Sequence, residues 1–210
     1  FTGSTGTARA IARSLLDDET RPLVPLIAET GGLNAMIVDS TALPEQVVVD
    51  VVTSAFRSAG QRCSALRLLL LQEDIADKTL EMLSGAMDTL TVGAPGDPRT
   101  DVGPVIDTAA YDKLEAYRQS MKSRWIHTIA VPADGHFVAP TAIRLDKSAD
   151  MTSERLGPLL PALTVPDEQR SLGEREQIDA TRESSVGGAR ATDYHTLDVA
   201  PGSSDGLKRA

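Results

Sequence analysis

AMIVDSTALPEQVVVDVVTSAFRSAGQRCSALRLLLL, residues 35–71, is the stretch whose reading decides the fold class. Ala35 to Val38 is a short apolar run closed by Asp39-Ser40, which reads as a strand. Leu43 to Ala59 carries Pro44 near its start and sets Val47, Val48, Val51, Val52 and Ala55 on one stripe, which predicts a helix with one apolar face. Gly60 ends that helix. Leu66 to Leu71 is a buried strand by length and composition. Strand, covering helix and second buried strand are the unit from which parallel sheets are built. An α/β fold with a largely parallel sheet and flanking helices is therefore expected.

Outward from this core the alternation continues. Thr2 to Thr5 reads as a turn containing Gly3, and Thr7 to Leu16 as a helix with Ala8, Ile11, Ala12 and Leu15 at helical spacing. Leu23 to Ala28, after Pro22, is expected to be a short buried strand broken by Gly31-Gly32. On the other side come a helix over 75–90, a Gly/Pro/Asp loop over 93–104, a helix over 108–122 and strand and turn over 137–145. There is no internal repeat. Residues 166–210 are polar with little apolar periodicity, a composition that predicts a poorly ordered tail.

Of 210 residues, 41% are hydrophobic, as in globular proteins. The net charge of -9 argues against a nucleic-acid surface. The apolar run 68–71 is far short of the ~20 residues that a membrane-spanning helix needs. A single cysteine, Cys63, rules out an internal disulfide and fits a reducing compartment. His127, His136 and His195 lack metal-ligand spacing, so no metal site is expected.

The chemistry-bearing candidates are few. A lone cysteine is most often a small buried hydrophobe, but Cys63 sits in the polar stretch Gly60-Gln61-Arg62-Cys63-Ser64, where Arg62 and Arg67 favour a thiolate. A thiol nucleophile needs a base or water-activating partner. Glu29 lies directly after an apolar run and before Gly31-Gly32; it reads either as that partner or as a solvated loop carboxylate. Gly3 and Ser4 precede a helix whose first N–H groups could receive a phosphate, or Ser4 could simply cap the helix.

Several of these strings occur together in one family. Phe1-Thr2-Gly3-Ser4 resembles the phosphate-proximal turn of aldehyde dehydrogenases. Glu29-Thr30-Gly31-Gly32 with Asn34 resembles the general-base motif E-x-G-G-x-N, and Phe56 with Gly60-Gln61-Arg62-Cys63 the nucleophile motif F-x-x-x-G-Q-x-C. Cys63 follows Glu29 by 34 positions, as in that family. The stretches 103–106 and 137–140 are in family order, and Glu154-Arg155-Leu156-Gly157-Pro158 resembles E-x-F-G-P with leucine in place of phenylalanine. The wording of 28–36 and 58–67 resembles the L-glutamate γ-semialdehyde dehydrogenase domain of bacterial bifunctional proline-utilisation proteins, which oxidise the open form of Δ1-pyrroline-5-carboxylate to glutamate with NAD.

The resemblance implies a partial aldehyde dehydrogenase fold. Residues 1–28 would be the remnant of the dinucleotide-binding domain, 29–165 part of the catalytic domain, and 166–210 a divergent tail. It implies Cys63 as nucleophile and Glu29 as general base, with Gly3 and Ser4 beside the pyrophosphate of NAD. Glu154 would bind a ribose hydroxyl, and Ser64 the substrate carboxylate. It further implies a small aldehyde substrate, a cytoplasmic location and a homo-oligomeric parent. The chain begins at the Phe-Thr-Gly-Ser turn, so a piece of the enzyme, inactive alone, is expected. The alternatives are a non-catalytic remnant or interaction module without a working NAD site, and a cofactor-free thiol hydrolase, for which no histidine is placed near Cys63 by sequence.

Overall fold

The computed structural model describes residues 1–17, 20, 22–151 and 154–166; apart from Pro166, the expected tail lies outside them. Five strands make one sheet: β1 (Ala35–Val38), β2 (Leu68–Gln72), β3 (Trp125–Thr128), β4 (Thr141–Leu145) and β5 (Leu159–Val165). Their order is β1-β2-β5-β4-β3. The first four in that order run parallel, and β3 closes one edge antiparallel to β4. Ala35 pairs with Leu68, and Leu69 with Ala162, so β1, β2 and β5 start at nearly the same level.

Among the described residues four α-helices accompany the sheet: α1 (Thr5–Leu16), α2 (Pro44–Phe56), α3 (Glu73–Asp88) and α4 (Thr108–Ser120). The apolar stripe of α2 buries Val47, Val48, Val51, Ala55 and Phe56, and α3 buries Ala76, Leu80, Leu83 and Met87. They pack with Leu69 and Leu71 of β2 into the main core. Leu68 and Leu70 point the other way, into a second cluster with Ala35, Leu145, Leu163 and Val165. All five residues of β2 are therefore buried, as expected for a strand covered on both faces. Pro44 sits in the first turn of α2, where its missing N–H costs nothing, and Asp107 caps α4 by accepting the Ala110 N–H at 2.7 Å. Among the described residues no helix is long and apolar enough to cross a membrane.

Three sequence expectations need correction. The stretch 23–28 is not a buried strand: Leu23 is 84% and Ile27 74% exposed, and among the described residues no strand pairs with it, an isolated bridge joining Thr2 to Glu29 just beyond its end. Pro25 deprives it of one donor, and an apolar run does not by itself say what covers it. The strands β3 and β5 went unread. In β5 the cause is Pro161, which argues against an interior strand. The β2 ladder starts at Ala162, one residue past the proline, while the β4 ladder runs along the whole segment 159–163.

Candidate active site

Three loops meet at the amino ends of adjacent parallel strands: 29–34 before β1, 61–67 before β2 and 154–158 before β5. Ligands in open α/β sheets usually sit at the carboxyl ends. Here the polar side chains collect at the opposite edge.

The Cys63 loop is shaped by an unusual backbone. After α2 the chain passes through Ser58, Ala59 and Gly60 with φ of 56°, 51° and 63°. Non-glycine residues in this left-handed region cost about 1–2 kcal/mol each. Gly60 lies against the carbonyl of Gly157, with the Ala55 carbonyl oxygen 2.8 Å from where a Cβ would stand. The nucleophile motif and the Glu154–Pro158 loop are thus in backbone contact. Gln61 accepts the Ile106 N–H at 2.8 Å, tying the loop to the 103–106 stretch.

Cys63 is exposed, so it is no core hydrophobe. It sits in a turn closed by the Ala65 N–H donating to the Arg62 carbonyl at 3.2 Å. Asn34 Nδ2 donates to the carbonyls of Cys63 and Ala65, at 2.7 and 3.0 Å. Arg62 donates to the Thr53 and Ser54 carbonyls at 3.1 and 3.2 Å, and Arg67 to the Arg62 carbonyl at 2.7 Å. Neither guanidinium is hydrogen-bonded to the thiol: Arg62 is turned to the last turn of α2, and Arg67 to the turn that carries Cys63. Ser64 is exposed beside Cys63.

Glu29 is exposed and joined to the amino terminus through its backbone: Gly3 N–H donates to the Glu29 carbonyl at 3.0 Å and Glu29 N–H to the Phe1 carbonyl at 2.8 Å. This places the Gly3-Ser4 turn beside Glu29. The Ser4 hydroxyl accepts the Thr7 N–H at 3.1 Å, so it does cap α1. The N–H groups of the first helical turn, Thr5 and Gly6, have no partner inside a helix and are open to an anion.

Glu154 is the buried member. Its side chain is 18% exposed, lies against the Cα of Gly31 and accepts the Gly32 N–H. Arg67 Nε is 3.7 Å from its Oε1, too far for a hydrogen bond. Glu154 Oε1 and Arg67 Nε and Nη1 are buried without a partner. Burial pushes the Glu154 carboxyl up from its ordinary range, against the pull of Arg67 and of the Gly32 N–H. Burial likewise lowers Arg67, against the pull of Glu154. Both shifts run toward the neutral forms: at this separation the pairing does not offset desolvation. A buried carboxylate oxygen lacking a donor is suited to a sugar hydroxyl. With the open N–H groups ahead of α1, the donor and acceptor set fits a dinucleotide.

The family model described as "Aldehyde dehydrogenase family" matches residues 1–197. The chain belongs to the aldehyde dehydrogenase family. It is 52% identical over 173 residues to the bifunctional protein PutA of Escherichia coli K12, covering 76% of this chain and 13% of that protein. A crystal structure of a Bradyrhizobium japonicum proline utilization A (PutA) mutant is 50% identical and superposes with a TM-score of 0.82, covering 86% of this chain and 18% of that one. Two more family structures are 26% identical: betaine aldehyde dehydrogenase of Staphylococcus aureus, in complex with NAD+ (TM-score 0.75, 85% of this chain and 36% of that one), and glyceraldehyde-3-phosphate dehydrogenase GapN of Methanocaldococcus jannaschii, complexed with NADP (TM-score 0.71, 81% and 36%). The chain spans about an eighth of the length of the PutA relative.

For this aldehyde dehydrogenase chain, the motifs contain Asn34 and Gln61 beside Cys63, Glu29 and Glu154, but the sequence gives no anchoring role to Asn34, Gln61 or Arg67. Asn34, Gln61 and Arg67 act on backbone carbonyls and N–H groups across loops. The available signal was a polar residue directly ahead of each buried strand, Asn34 before β1 and Arg67 before β2.

Proposed function

We propose that this chain carries the nucleophile and the base of an NAD-dependent dehydrogenase that oxidises L-glutamate γ-semialdehyde to glutamate in proline catabolism. The observation that supports it most is the exposed thiol of Cys63 on a turn that Asn34 pins to the loop of Glu29. The likeness to PutA proteins at about half identity supports the substrate class.

In this reading the Cys63 thiolate attacks the aldehyde carbon, forming a C–S bond and leaving a negative charge on the aldehyde oxygen, which the Cys63 N–H receives. When bound, the dinucleotide supplies a hydride acceptor. Loss of hydride from the thiohemiacetal leaves an acyl thioester on Cys63. Glu29, exposed at the mouth, takes a proton from water as the water oxygen adds to the thioester carbon; the C–S bond breaks and the thiolate is regenerated. Glu154 would hold a ribose hydroxyl, and Gly3 and Ser4 would lie by the pyrophosphate. Ser64 would donate to the substrate carboxylate.

The test is turnover of glutamate semialdehyde followed by NADH absorbance, with NAD and NADP binding measured by calorimetry on the same protein. Cys63→Ala should abolish oxidation, and Glu29→Gln should leave an acyl adduct on Cys63 visible by mass spectrometry. An undiminished rate in Cys63→Ala would overturn the assignment of the nucleophile.

A further inference from the structure

The turn that carries Cys63 turns its carbonyls inward, and two buried side chains hold them. Asn34, 9% exposed, takes the carbonyls of Cys63 and Ala65. Arg67, 2% exposed, takes the carbonyl of Arg62. The Asn34 carbonyl in turn receives the N–H groups of Arg67 and Leu68, at 2.8 and 3.1 Å. The clamp is therefore closed: the residue ahead of β1 grips the nucleophile turn, and the strand after that turn grips the same residue.

A trans peptide points its C=O and the following N–H in opposite directions, and no cis peptide bond occurs among the described residues. Holding the Arg62 carbonyl inward sends the Cys63 N–H outward, and holding the Cys63 carbonyl inward sends the Ser64 N–H outward. Neither N–H is used inside the protein by any hydrogen bond among the described residues. Both are thus directed to the side away from the clamp, next to an exposed thiol.

We infer that Asn34 is a positioning residue for the nucleophile: by fixing the Cys63 carbonyl it aims the Cys63–Ser64 peptide, so that the Ser64 N–H joins the Cys63 N–H in receiving the oxyanion. The inference rests on Cys63 being the acyl-forming nucleophile. Arg67 contributes to the same clamp but also faces Glu154, so Asn34, whose side-chain N–H groups both donate to the turn, is the cleaner probe.

Two reactions of the only cysteine separate aim from access. Acylation of Cys63 by p-nitrophenyl acetate passes through a tetrahedral oxyanion: the thiolate adds to the ester carbon, p-nitrophenolate leaves, and an acetyl thioester remains. Alkylation by iodoacetamide displaces iodide at a saturated carbon and develops no oxyanion. Neither needs a dinucleotide. Loss of one preorganised donor slows such chemistry by about 100- to 1,000-fold, and misplacement of a reacting group by 1 Å by about 100-fold. In Asn34→Ala the acylation rate per titrated thiol should fall roughly 30- to 100-fold while alkylation stays within about 3-fold. If both rates fall together, or neither falls, Asn34 only supports the fold and the inference is overturned. Asn34→Asp, of the same shape but without the two donors, gives the same reading should the alanine variant not fold. The unaltered protein supplies a further check: relative to a small free thiol, its acylation should be accelerated more than its alkylation, and equal ratios would also overturn the inference. Failure of the dehydrogenase reading would look different: acylation would respond to Asn34 while aldehyde oxidation with NAD or NADP went on undiminished in Cys63→Ala.

Discussion

Two glycines of this site face obstacles of opposite kinds, and one substitution at each separates them. A Cβ on Gly60 would press on the Gly157 carbonyl group, with its carbon at 2.6 Å, and on the Ala55 carbonyl oxygen at 2.8 Å. All of these are backbone atoms. A Cβ on Gly31 would collide with the Glu154 carboxylate, the far end of a flexible side chain. Gly60→Ala carries about 1–2 kcal/mol for placing an L-residue at φ 63°, and about 1–3 kcal/mol for overpacking between two backbone segments. Restricting the unfolded chain returns about 0.4–1 kcal/mol, for a net loss of roughly 2–4 kcal/mol. For a chain of this size each kcal/mol moves Tm by about 2–4 °C. Gly31 needs no left-handed backbone, so Gly31→Ala should cost under about 1 kcal/mol, the order of one off-rotamer side chain. Its effect should appear in function, because Glu154 must leave its place beside Arg67: dinucleotide affinity should drop about tenfold, the worth of one such contact. Urea and thermal unfolding by circular dichroism measure the first quantity, and calorimetric titration with NAD the second. A Gly60→Ala protein within about 0.5 kcal/mol of the parent, or Gly31→Ala the more destabilised of the two, would refute the reasoning.

Two further expectations follow from the local geometry. Ser58 is exposed at φ 56°, so Ser58→Gly should relieve strain and raise Tm by roughly 1–4 °C, with an unchanged or lower Tm counting against a strained loop. Glu115 is held by Arg118 at 2.8 and 2.7 Å and by Gln119 at 2.6 Å, and its carboxyl is lowered chiefly by the Arg118 hydrogen bonds. A depressed folded pKa gives stability that is present above the unfolded value of about 4.3 and is lost as pH falls through the folded one. Glu115→Gln should therefore be less stable by about 0.5–1 kcal/mol at neutral pH, with the gap closing below roughly pH 4; a gap constant from pH 7 to pH 3 would contradict this.

What could be read from the sequence was what periodicity and punctuation encode. The strand over 35–38 and the helices over 44–56, 73–88 and 108–120 stand within a few residues of their expected places. Their apolar residues fall at the period of their structure, and Pro44 marks the start of α2, whose end comes at Phe56 rather than at the expected Gly60 because the backbone turns left-handed at Ser58 and Ala59. The run over 23–28 misled because apolar content says nothing about what lies on top of it. The strand β5 was hidden by Pro161, whose acceptability depends on where the ladder with β2 begins, a property of another strand. The site divided along the same line. Cys63 and Glu29 stood out as reactive types in loops beside glycines. Asn34 and Gln61 are legible only as motif letters, and their anchoring roles are not, because their partners are main-chain groups that only the tertiary fold brings near.

The dependence on tertiary pairing has a physical consequence for how such a site tolerates change. The loops of Glu29, Cys63 and Glu154 have no common sequence neighbour; the ladder β1-β2-β5 sets their relative height, and the contacts between them depend on it. A slip of one residue between β1 and β2 would move Asn34 about 3.3 Å along the strand relative to the Cys63 turn. That displacement exceeds the 2.7 Å length of the Asn34–Cys63 hydrogen bond, so the bond would break. The slip would also turn Leu69 and Leu71 out of the main core, since alternate strand residues face opposite sides. Register is therefore protected by burial on both faces of β2, and the same burial fixes the Cys63 turn against the loop of Glu29. In this fold the packing that makes the core also places the Cys63 turn, which is why Asn34 ahead of β1 and Arg67 ahead of β2 can anchor it.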